Sequence, residues 1–387
     1  MRNFEMDFKT KVFFGKNKVE KMPQEINKYG NNVMIVYGGG SIKKYGIFDE
    51  VDEALSSNNI DYIEYGGISP NPRLKEVRKG IDIAKKENID FILAVGGGSV
   101  IDASKAIACS VYAENDVWDY FTNKAKIENA IPLGVVLTIS ATGSEMNINA
   151  VVTNTEEKNK LAIHSEKVLP KFAVLDPSYT ESVPAYHTAA GISDIMAHIF
   201  EQYFSPDKEA VVSDRLAESL LKVCIEEGPI AYRNGGNYTA RANIMWSSTL
   251  ALNGLLSFGK KTDWASHKIA HELSAHYDLA HGATLSIIFP AWMKYVLDEK
   301  REWKFVQFGK NVWGLEGDDE KIAERSIELL EEFFHEIGMP TRLVDVDVDK
   351  SRFESMAKNI QKIYGEIGTF KKLTYEDILK IYNLAFE

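Results

Sequence analysis

The chain has 387 residues, of which 45% are apolar and 26% charged, and its formal net charge is −11. This composition excludes a disordered chain, and at ~100–200 residues per domain the length allows two domains with separate cores. The acidic balance argues against a protein that binds nucleic acid, because that role needs a concentrated positive field.

Cysteine usage and the N-terminal residues bear on where the protein works. Cys109 and Cys224 fit neither a disulfide framework nor a thiolate metal site, so a reducing cytoplasm is the simplest compartment. The first residues mix charged and apolar side chains and contain no signal-peptide core. The longest apolar stretch, 283–297, is interrupted by Pro290 and Lys294 and is shorter than the ~20 residues of a membrane helix. We therefore expect a cytoplasmic protein without a membrane segment.

The first half of the chain alternates short apolar runs with amphipathic segments. Three runs predict buried strands, each followed by Gly, Ser or Thr: 33–37, 91–95 and 133–137. Residues 74–87 and 99–112 have apolar side chains at helical spacing, whereas 151–175 predicts shorter strands and a hairpin. This order of elements is typical of an α/β domain with a parallel sheet and crossover helices.

After Asp176-Pro177 the strand-like runs disappear and long amphipathic segments follow. Five of these segments predict helices: 187–204, 207–227, 238–257, 263–277 and 326–337. Gly338, with Pro340 beyond it, marks the end of the last one. We expect a boundary near Val183-Pro184 that separates an α/β domain at 1–183 from an all-α domain at 184–387.

Two glycine-rich turns, each between a predicted strand and a predicted helix, indicate a nucleotide site. They are Gly38-Gly39-Gly40-Ser41 and Gly96-Gly97-Gly98-Ser99. Glycine lets backbone N–H groups approach a phosphate closely, and the following helix N-terminus adds partial positive charge. Neither turn fits G-x-G-x-x-G, so the predicted fold is Rossmann-like without the standard fingerprint. A single such turn is often only structural, but two in one half favour a nucleotide.

Polar side chains extend this predicted site. Asp102 lies in the first turn of the helix after the second glycine turn, although helix capping alone would also explain a carboxylate there. Several hydroxyl groups follow the third strand, at the carboxyl end where open α/β sheets bind ligands. These are Thr138, Ser140, Thr142 and Ser144.

A cluster of histidines in the second half indicates a metal site. Of the eight histidines, four fall between positions 267 and 281: His267, His271, His276 and His281. His198 follows Asp194 by four residues, and His267 and His271 have the same spacing, so each pair lies on one helix face. Imidazole and carboxylate ligands without thiolate suit Zn²⁺ or Fe²⁺. Catalysis with four protein ligands needs a further coordination position, which favours iron.

These motifs together resemble the iron-containing, or group III, alcohol dehydrogenase family, in particular its butanol dehydrogenase and NADPH-dependent aldehyde reductase branch. The resemblance covers essentially the whole chain and is most specific in the segments 174–201 and 264–284. It implies hydride transfer between NADP(H) or NAD(H) and short-chain alcohols or aldehydes, such as butanol and butanal. It also implies a homodimer that contains Fe²⁺, or Zn²⁺ in its place.

The resemblance assigns roles to particular residues. The metal ligands would be Asp194, His198, His267 and His281. His271 would be the unliganded histidine near the nicotinamide that relays a proton, and His276 matches no ligand position. Gly96, Gly97, Gly98 and Ser99 would hold the pyrophosphate. The remaining cofactor cleft would be lined by Asp102, Thr138, Ser140, Thr142, Ser144 and Lys160.

The first glycine turn bears on the choice of nicotinamide cofactor. NAD-preferring relatives tend to place an Asp after this strand, where it accepts hydrogen bonds from the ribose 2′-OH. Here Gly38, Gly39, Gly40 and Ser41 are followed by Lys43 and Lys44, without a carboxylate. We therefore favour NADP(H), with NAD(H) as the alternative.

Other functions stay open at this point. A polyol dehydrogenase or a dehydroquinate synthase-like lyase would share the architecture, although the lyase needs several Lys and Arg in its cleft. A non-catalytic nucleotide-binding protein whose metal only connects helices is a further alternative. A 2-His-1-carboxylate oxygenase is disfavoured by the third histidine ligand and by the glycine turns.

Overall fold

The computed structural model describes residues 1–387 as eight strands and fifteen α-helices, together with short 3-10 helices and one π-helix at Gly309–Trp313. The strands are β1 Lys11–Phe14, β2 Asn32–Tyr37, β3 Asp61–Tyr65, β4 Phe91–Gly96, β5 Leu133–Leu137, β6 Asn149–Asn154, β7 Asn159–His164 and β8 Phe172–Leu175. The helices are α1 Met22–Ile26, α2 Ser41–Lys44, α3 Ile47–Ser56, α4 Leu74–Lys86, α5 Gly98–Ala108, α6 Trp118–Phe121, α7 Ala185–Tyr203, α8 Val211–Arg233, α9 Tyr238–Leu252, α10 Ala265–Tyr277, α11 His281–Val296, α12 Glu302–Phe308, α13 Asp319–Glu336, α14 Phe353–Tyr364 and α15 Tyr375–Phe386.

The chain forms two compact units. The α/β unit contains Met6–Val183 together with Gly235–Met245, and the helical unit contains Met1–Glu5, Pro184–Asn234 and Trp246–Glu387. All eight strands lie in the α/β unit. The predicted fold class, an α/β region with a parallel sheet followed by a helical region, is confirmed.

The main sheet of the α/β unit has six parallel strands in the order β1-β8-β5-β4-β2-β3. The three strands predicted from apolar runs are β2, β4 and β5, which lie inside the sheet with both faces covered. Along β2, Met34 and Val36 pack into one core, whereas Val33 and Ile35 pack into the core on the opposite face. The edge strands β1 and β3 are only partly buried, and for that reason they lack the continuous apolar run that predicts a strand.

The topology of the sheet places the glycine turns together. In parallel strands the carboxyl ends meet at one edge, where Gly38 follows β2 and Gly96 ends β4. Strands β3 and β4 lie on opposite sides of β2, so the winding of the chain reverses between β2 and β4. Such a switch point is where open α/β sheets bind ligands. The predicted hairpin is also present, as the antiparallel pair β6 and β7.

The five helices predicted in the second half of the chain are present with shifted ends; all lie in the helical unit except the first part of α9, which belongs to the α/β unit. Helix α8 begins at Val211 instead of Asp207, because the Asp207 carboxylate accepts hydrogen bonds from the Arg2 guanidinium and the Lys261 N–H and belongs to a loop. Helix α9 ends at Leu252, and Gly254 follows in a left-handed conformation (φ 98°).

The apolar stretch that contains Pro290 forms helix α11, which is mostly buried. No helix in the chain is both long enough and apolar enough to cross a membrane. Cys109 and Cys224 are both buried, and burial raises the pKa of each thiol to about 12. Neither cysteine therefore forms the reactive thiolate near neutral pH.

Candidate active site

Three helices of the helical unit bring the histidine cluster together. Helix α7 carries Asp194 and His198 on one face, α10 carries His267 and His271, and α11 begins at His281. The spacing of four residues puts both members of each helical pair on the same side. The predicted pairs therefore face a common point within one compact unit.

A close contact between helices explains how His281 reaches this point. Gly282 lies so near to helix α7 that an added Cβ would be 1.8 Å from the Ala190 carbonyl oxygen. Only glycine permits that approach of two backbones. Because Gly282 follows His281 directly, the contact places the His281 ring against Asp194.

The distances among these side chains fit a bound divalent metal ion. Asp194 Oδ1 lies 3.7 Å from His198 Nε2 and 3.7 Å from His281 Nε2. Potential ligand atoms of Asp194, His267 and His281 all lie within 4.8 Å of one another, and the His198 and His267 rings stack with centroids 4.8 Å apart. Donors at ~2.1 Å from a common tetrahedral ion are about 3.4 Å apart. One carboxylate and three imidazoles also suit Zn²⁺ or Fe²⁺.

Burial influences the protonation of this site. Asp194, His198 and His267 are buried, whereas the His281 side chain is 20% exposed. Burial, together with a smaller contribution from the neighbouring His267, lowers the pKa of His198 to about 4, although the Asp194 carboxylate opposes the decrease. The His198 imidazole is therefore neutral at physiological pH, as a metal ligand must be.

Sequence reasoning missed one carboxylate in this region. Glu201 lies three residues after His198 on α7, and its Oε1 accepts a hydrogen bond from His267 Nδ1 at 2.8 Å. Burial raises the pKa of the Glu201 carboxyl to about 8, and the backbone N–H groups of His267 and Trp264 oppose that increase. The spacing of Asp194, His198 and Glu201, which share one helical face, is the signal that would have revealed it.

The other two clustered histidines lie in different positions. The ring of His271 is partly exposed, and its centroid is 5.1 Å from that of His281 and 6.4 Å from that of His267. His276 is turned toward Glu272, 3.7 Å away, and contacts Arg352. The structure thus places His271 beside the cluster and His276 outside it.

In the α/β unit, the second glycine turn is tightly packed against the residues after β5. The Thr138 N–H donates to the Gly96 carbonyl, and added Cβ atoms on Gly97 and Gly98 would meet Ile139 and Thr142 at 2.0 and 2.4 Å. Glycine is required here because another turn occupies the space. Ser99, Thr138 and Thr142 remain partly exposed at this edge, while Ser140 is buried.

A buried polar network holds two of the predicted cofactor residues. Asp102 accepts hydrogen bonds from the Ser144 hydroxyl at 2.6 Å and from the Val151 N–H at 3.0 Å. Burial raises the pKa of Asp102, although Lys105 opposes this increase. The hydrogen bond between Asp102 and Ser144 therefore connects helix α5 to the segment after β5.

Lys105 is the centre of that network, and sequence reasoning missed it. Its Nζ is fully buried and donates to the Ser144 hydroxyl, to the backbone carbonyls of Asn147 and Asn149, and to Asn147 Oδ1, at 2.7–3.0 Å. Asp102 lies three residues earlier on the same helix, but this local spacing does not show that Lys105 would reach Asn147 and Asn149. Lys160, a predicted cofactor residue, is also buried and donates to Asn71 Oδ1 at 2.8 Å.

The first glycine turn has a carboxylate partner from a neighbouring strand. Glu64 on β3 accepts hydrogen bonds from Lys43 Nζ at 2.5 Å and from the Tyr37 hydroxyl at 2.8 Å. The Lys43 ammonium lowers the pKa of the Glu64 carboxyl and keeps it ionised. The positive charge that the sequence assigns to this turn is thus partly neutralised by a residue distant in sequence.

Comparison with known proteins identifies the class that this fold and these residues define. Residues 9–177 match the family model "Iron-containing alcohol dehydrogenase", and residues 188–386 match "Fe-containing alcohol dehydrogenase family, C-terminal". Together these models cover nearly the whole chain. The protein belongs to the iron-containing alcohol dehydrogenase family, and it is an oxidoreductase of alcohols and aldehydes that uses a nicotinamide cofactor and iron.

Similar proteins within the family are known from several bacteria. The chain is 46% identical to NADH-dependent butanol dehydrogenase A of Clostridium acetobutylicum, with 100% of both chains covered. It is 39% identical to the NADPH-dependent aldehyde reductase YqhD of Escherichia coli, again over 100% of both. The crystal structure of NADH-dependent butanol dehydrogenase A from Thermotoga maritima matches with a TM-score of 0.96 at 38% identity, covering 100% of this chain and 99% of the other.

Proposed function

We propose that this enzyme reduces short-chain aldehydes such as butanal, and oxidises the matching alcohols, at a metal held by Asp194, His198, His267 and His281. The observation that carries the proposal is the convergence of these four side chains from three helices of one unit. The names of the similar butanol dehydrogenases and of the aldehyde reductase support the substrate class. A polyol dehydrogenase would use the same centre and differ only in substrate.

The chain's own residues perform binding, orientation and proton movement. A bound Fe²⁺ would supply Lewis-acid polarisation of the substrate oxygen, and the nicotinamide would supply the hydride. Backbone N–H groups of the second glycine turn and the N-terminus of α5 offer partial positive charge to a pyrophosphate. Ser99, Thr138, Thr142 and Lys160 would provide polar contacts for the rest of the dinucleotide. His271, partly exposed beside His281, is positioned to move a proton to the product alkoxide.

The choice between NADH and NADPH depends on the first glycine turn. Sequence analysis favours NADP(H), because Lys43 and Lys44 follow the turn and no carboxylate does. The ion pair between Lys43 and Glu64 reduces the charge available to a 2′-phosphate. A relative at 46% identity is also named for NADH. We therefore favour NADH as the better cofactor, and the ratio of kcat/KM for NADH and NADPH measures that preference.

The proposal includes the organisation of the enzyme. Residues 1–183 would bind the dinucleotide and residues 184–387 would hold the metal, in keeping with where the glycine turns and the imidazoles lie. The resemblance to the family implies a homodimer, which light scattering tests. The two unpaired cysteines support a cytoplasmic location.

Removal and restoration of the metal test the metal-dependent activity. We expect butanal reduction to disappear after chelation and to return with Fe²⁺ or Zn²⁺. The His267→Ala variant should bind no stoichiometric metal and lack activity, whereas the His276→Ala control should retain both. Activity that is indifferent to metal would refute the proposal. If the metal only connected helices, chelation would lower the melting temperature sharply and the metal-loaded protein would show no turnover.

A further inference from the structure

Glu201 connects the predicted metal cluster to the chain segment that precedes α10. Its side chain is almost completely buried, and its carboxylate accepts three N–H donors. Oε1 accepts from the His267 backbone N–H at 2.9 Å and from His267 Nδ1 at 2.8 Å, while Oε2 accepts from the Trp264 backbone N–H at 2.5 Å. In all three contacts a carboxylate oxygen of Glu201 is the acceptor of an N–H group.

These hydrogen bonds determine how the His267 ring is presented. Because Nδ1 donates its hydrogen to Glu201, the lone pair of a neutral imidazole is on Nε2. The backbone and the ring of His267 are both bound by the same carboxylate oxygen, so the ring has little freedom to turn. Carboxylates in this position fix the tautomer of metal-binding histidines and raise their basicity.

The same carboxylate also stabilises an unusual backbone conformation. Trp264 has φ 67°, in the left-handed region that bulky residues rarely adopt. Its N–H is bound by Glu201 Oε2, and the N–H of the preceding Asp263 donates to the Glu201 carbonyl at 2.8 Å. In this conformation the indole centroid lies 5.2 Å from the His267 ring and 6.3 Å from the His198 ring.

We propose that Glu201 is a positioning residue of the metal site, which holds His267 in the tautomer and orientation that present Nε2 to the metal and holds Trp264 against two of the imidazoles. This inference rests on the proposed metal ligands. Glu201 itself contacts no metal in this arrangement, since both of its oxygens are directed to N–H groups.

Metal affinity tests the proposal without relying on turnover. Co²⁺ binding to the metal-free enzyme is measured by competition with a chelator and by its visible absorption. Glu201→Gln places an amide donor where Oε2 accepts the Trp264 N–H, and Glu201→Asp withdraws the carboxylate by one methylene. We expect each variant to bind Co²⁺ about 10–100-fold more weakly, with an altered absorption spectrum.

Glu218→Gln is the matched control, because Glu218 is also a buried glutamate of the helical unit but is bonded to Tyr203, Gln307 and Asn311. It should keep the wild-type Co²⁺ affinity even if its melting temperature falls. Wild-type affinity in a folded Glu201 variant, or equal losses in the Glu201 and Glu218 variants, would overturn the proposal.

Two further measurements separate this inference from the metal site itself. If His267→Ala abolishes Co²⁺ binding while the Glu201 variants bind normally, the ligand assignment stands and the role of Glu201 is wrong. If His267→Ala also binds normally, the ligand assignment fails. Should the Glu201 variants not fold, ¹⁵N spectra of histidine-labelled wild-type protein decide, since we expect the Nδ1–H tautomer for His267 and the Nε2–H tautomer would contradict it.

Discussion

The two glycine turns have the same four residues, Gly-Gly-Gly-Ser, but very different surroundings. No atom lies within 4 Å of a Cβ built on Gly39 or Gly40, whereas Gly97 and Gly98 have Ile139 and Thr142 in the position that a Cβ would occupy. The first turn leads into a helix of four residues, and the second leads into α5, which is buried along its length. Identical motifs in one chain can therefore meet different physical requirements.

This comparison indicates which turn depends on the protein core. The second turn is part of a packed layer connected through Asp102, Lys105 and Ser144. The first turn is partly exposed. Tyr37 and Lys43, which flank it, donate hydrogen bonds to Glu64 on the edge strand β3. Substitutions in the second turn should therefore affect folding and cofactor binding together, whereas a substitution at Gly39 in the first turn should affect cofactor binding alone.

Replacement of the Lys105 side chain should give the largest loss of folding stability. Lys105→Met leaves Asp102 without its buried cation and four hydrogen-bond acceptors without their donor, so we expect a loss of about 3–5 kcal/mol in the free energy of unfolding. Urea denaturation monitored by circular dichroism measures it. The control Lys79→Met, on the exposed face of α4, should stay within about 0.5 kcal/mol of wild type. A small loss for Lys105→Met would mean that the second turn does not depend on this network.

The pH dependence of stability provides a second measure of Lys105. Burial lowers its pKa from 10.5 to about 8 in the folded protein. Between these values the unfolded chain binds more protons than the folded one, so the contribution of Lys105 to stability increases as the pH rises. The difference in unfolding free energy between wild type and Lys105→Met should therefore change across this range. A difference that is constant with pH would show that Lys105 titrates normally.

Gly98→Ala should have an intermediate effect. The new methyl group would collide with Thr142, whose Oγ1 and Cγ2 lie 2.4 and 2.5 Å from its position. Overpacking of this kind costs about 1–3 kcal/mol. We also expect weaker NADH binding in a fluorescence titration, because the turn must shift. The double variant Gly98→Ala with Thr142→Ala lacks both colliding atoms and should recover part of the stability, and no recovery would argue against the collision.

Gly39→Ala should have the smallest effect on folding. The space around it is open and its φ is not positive, so stability should change by no more than about 0.5 kcal/mol. Any loss should appear in cofactor affinity instead, since a methyl group restricts the approach of a phosphate to the backbone. A large loss of stability would remove the contrast between the two turns.

The sequence predicts the central strands and most long helices because burial on both faces, or on one stripe, leaves a continuous or periodic apolar pattern. It does not predict β1 and β3, which are partly buried edge strands. The four proposed metal ligands could be named in advance because three lie on helical faces with a regular spacing and the family motifs are long.

The supporting residues were harder to predict for a physical reason. Glu201 is hydrogen-bonded to His267, which is 66 positions away in the sequence, and Lys105 is hydrogen-bonded to Asn149, which is 44 positions away. Glu64 reaches Lys43 from the neighbouring strand. Such contacts depend on how helices and strands pack, and neither composition nor local periodicity contains that information. The sequence also does not show whether a glycine turn is tightly packed or open, since the packing depends on residues of other turns.

Because both cysteines are buried, we expect the native enzyme to react only slowly with thiol reagents. A cysteine introduced at an exposed position would then be the single fast-reacting site, without any need to remove Cys109 or Cys224. Lys44→Cys, just after the first glycine turn, would carry a fluorophore close to where a dinucleotide is expected. Its emission would follow cofactor association in real time, separately from the chemistry of the reaction.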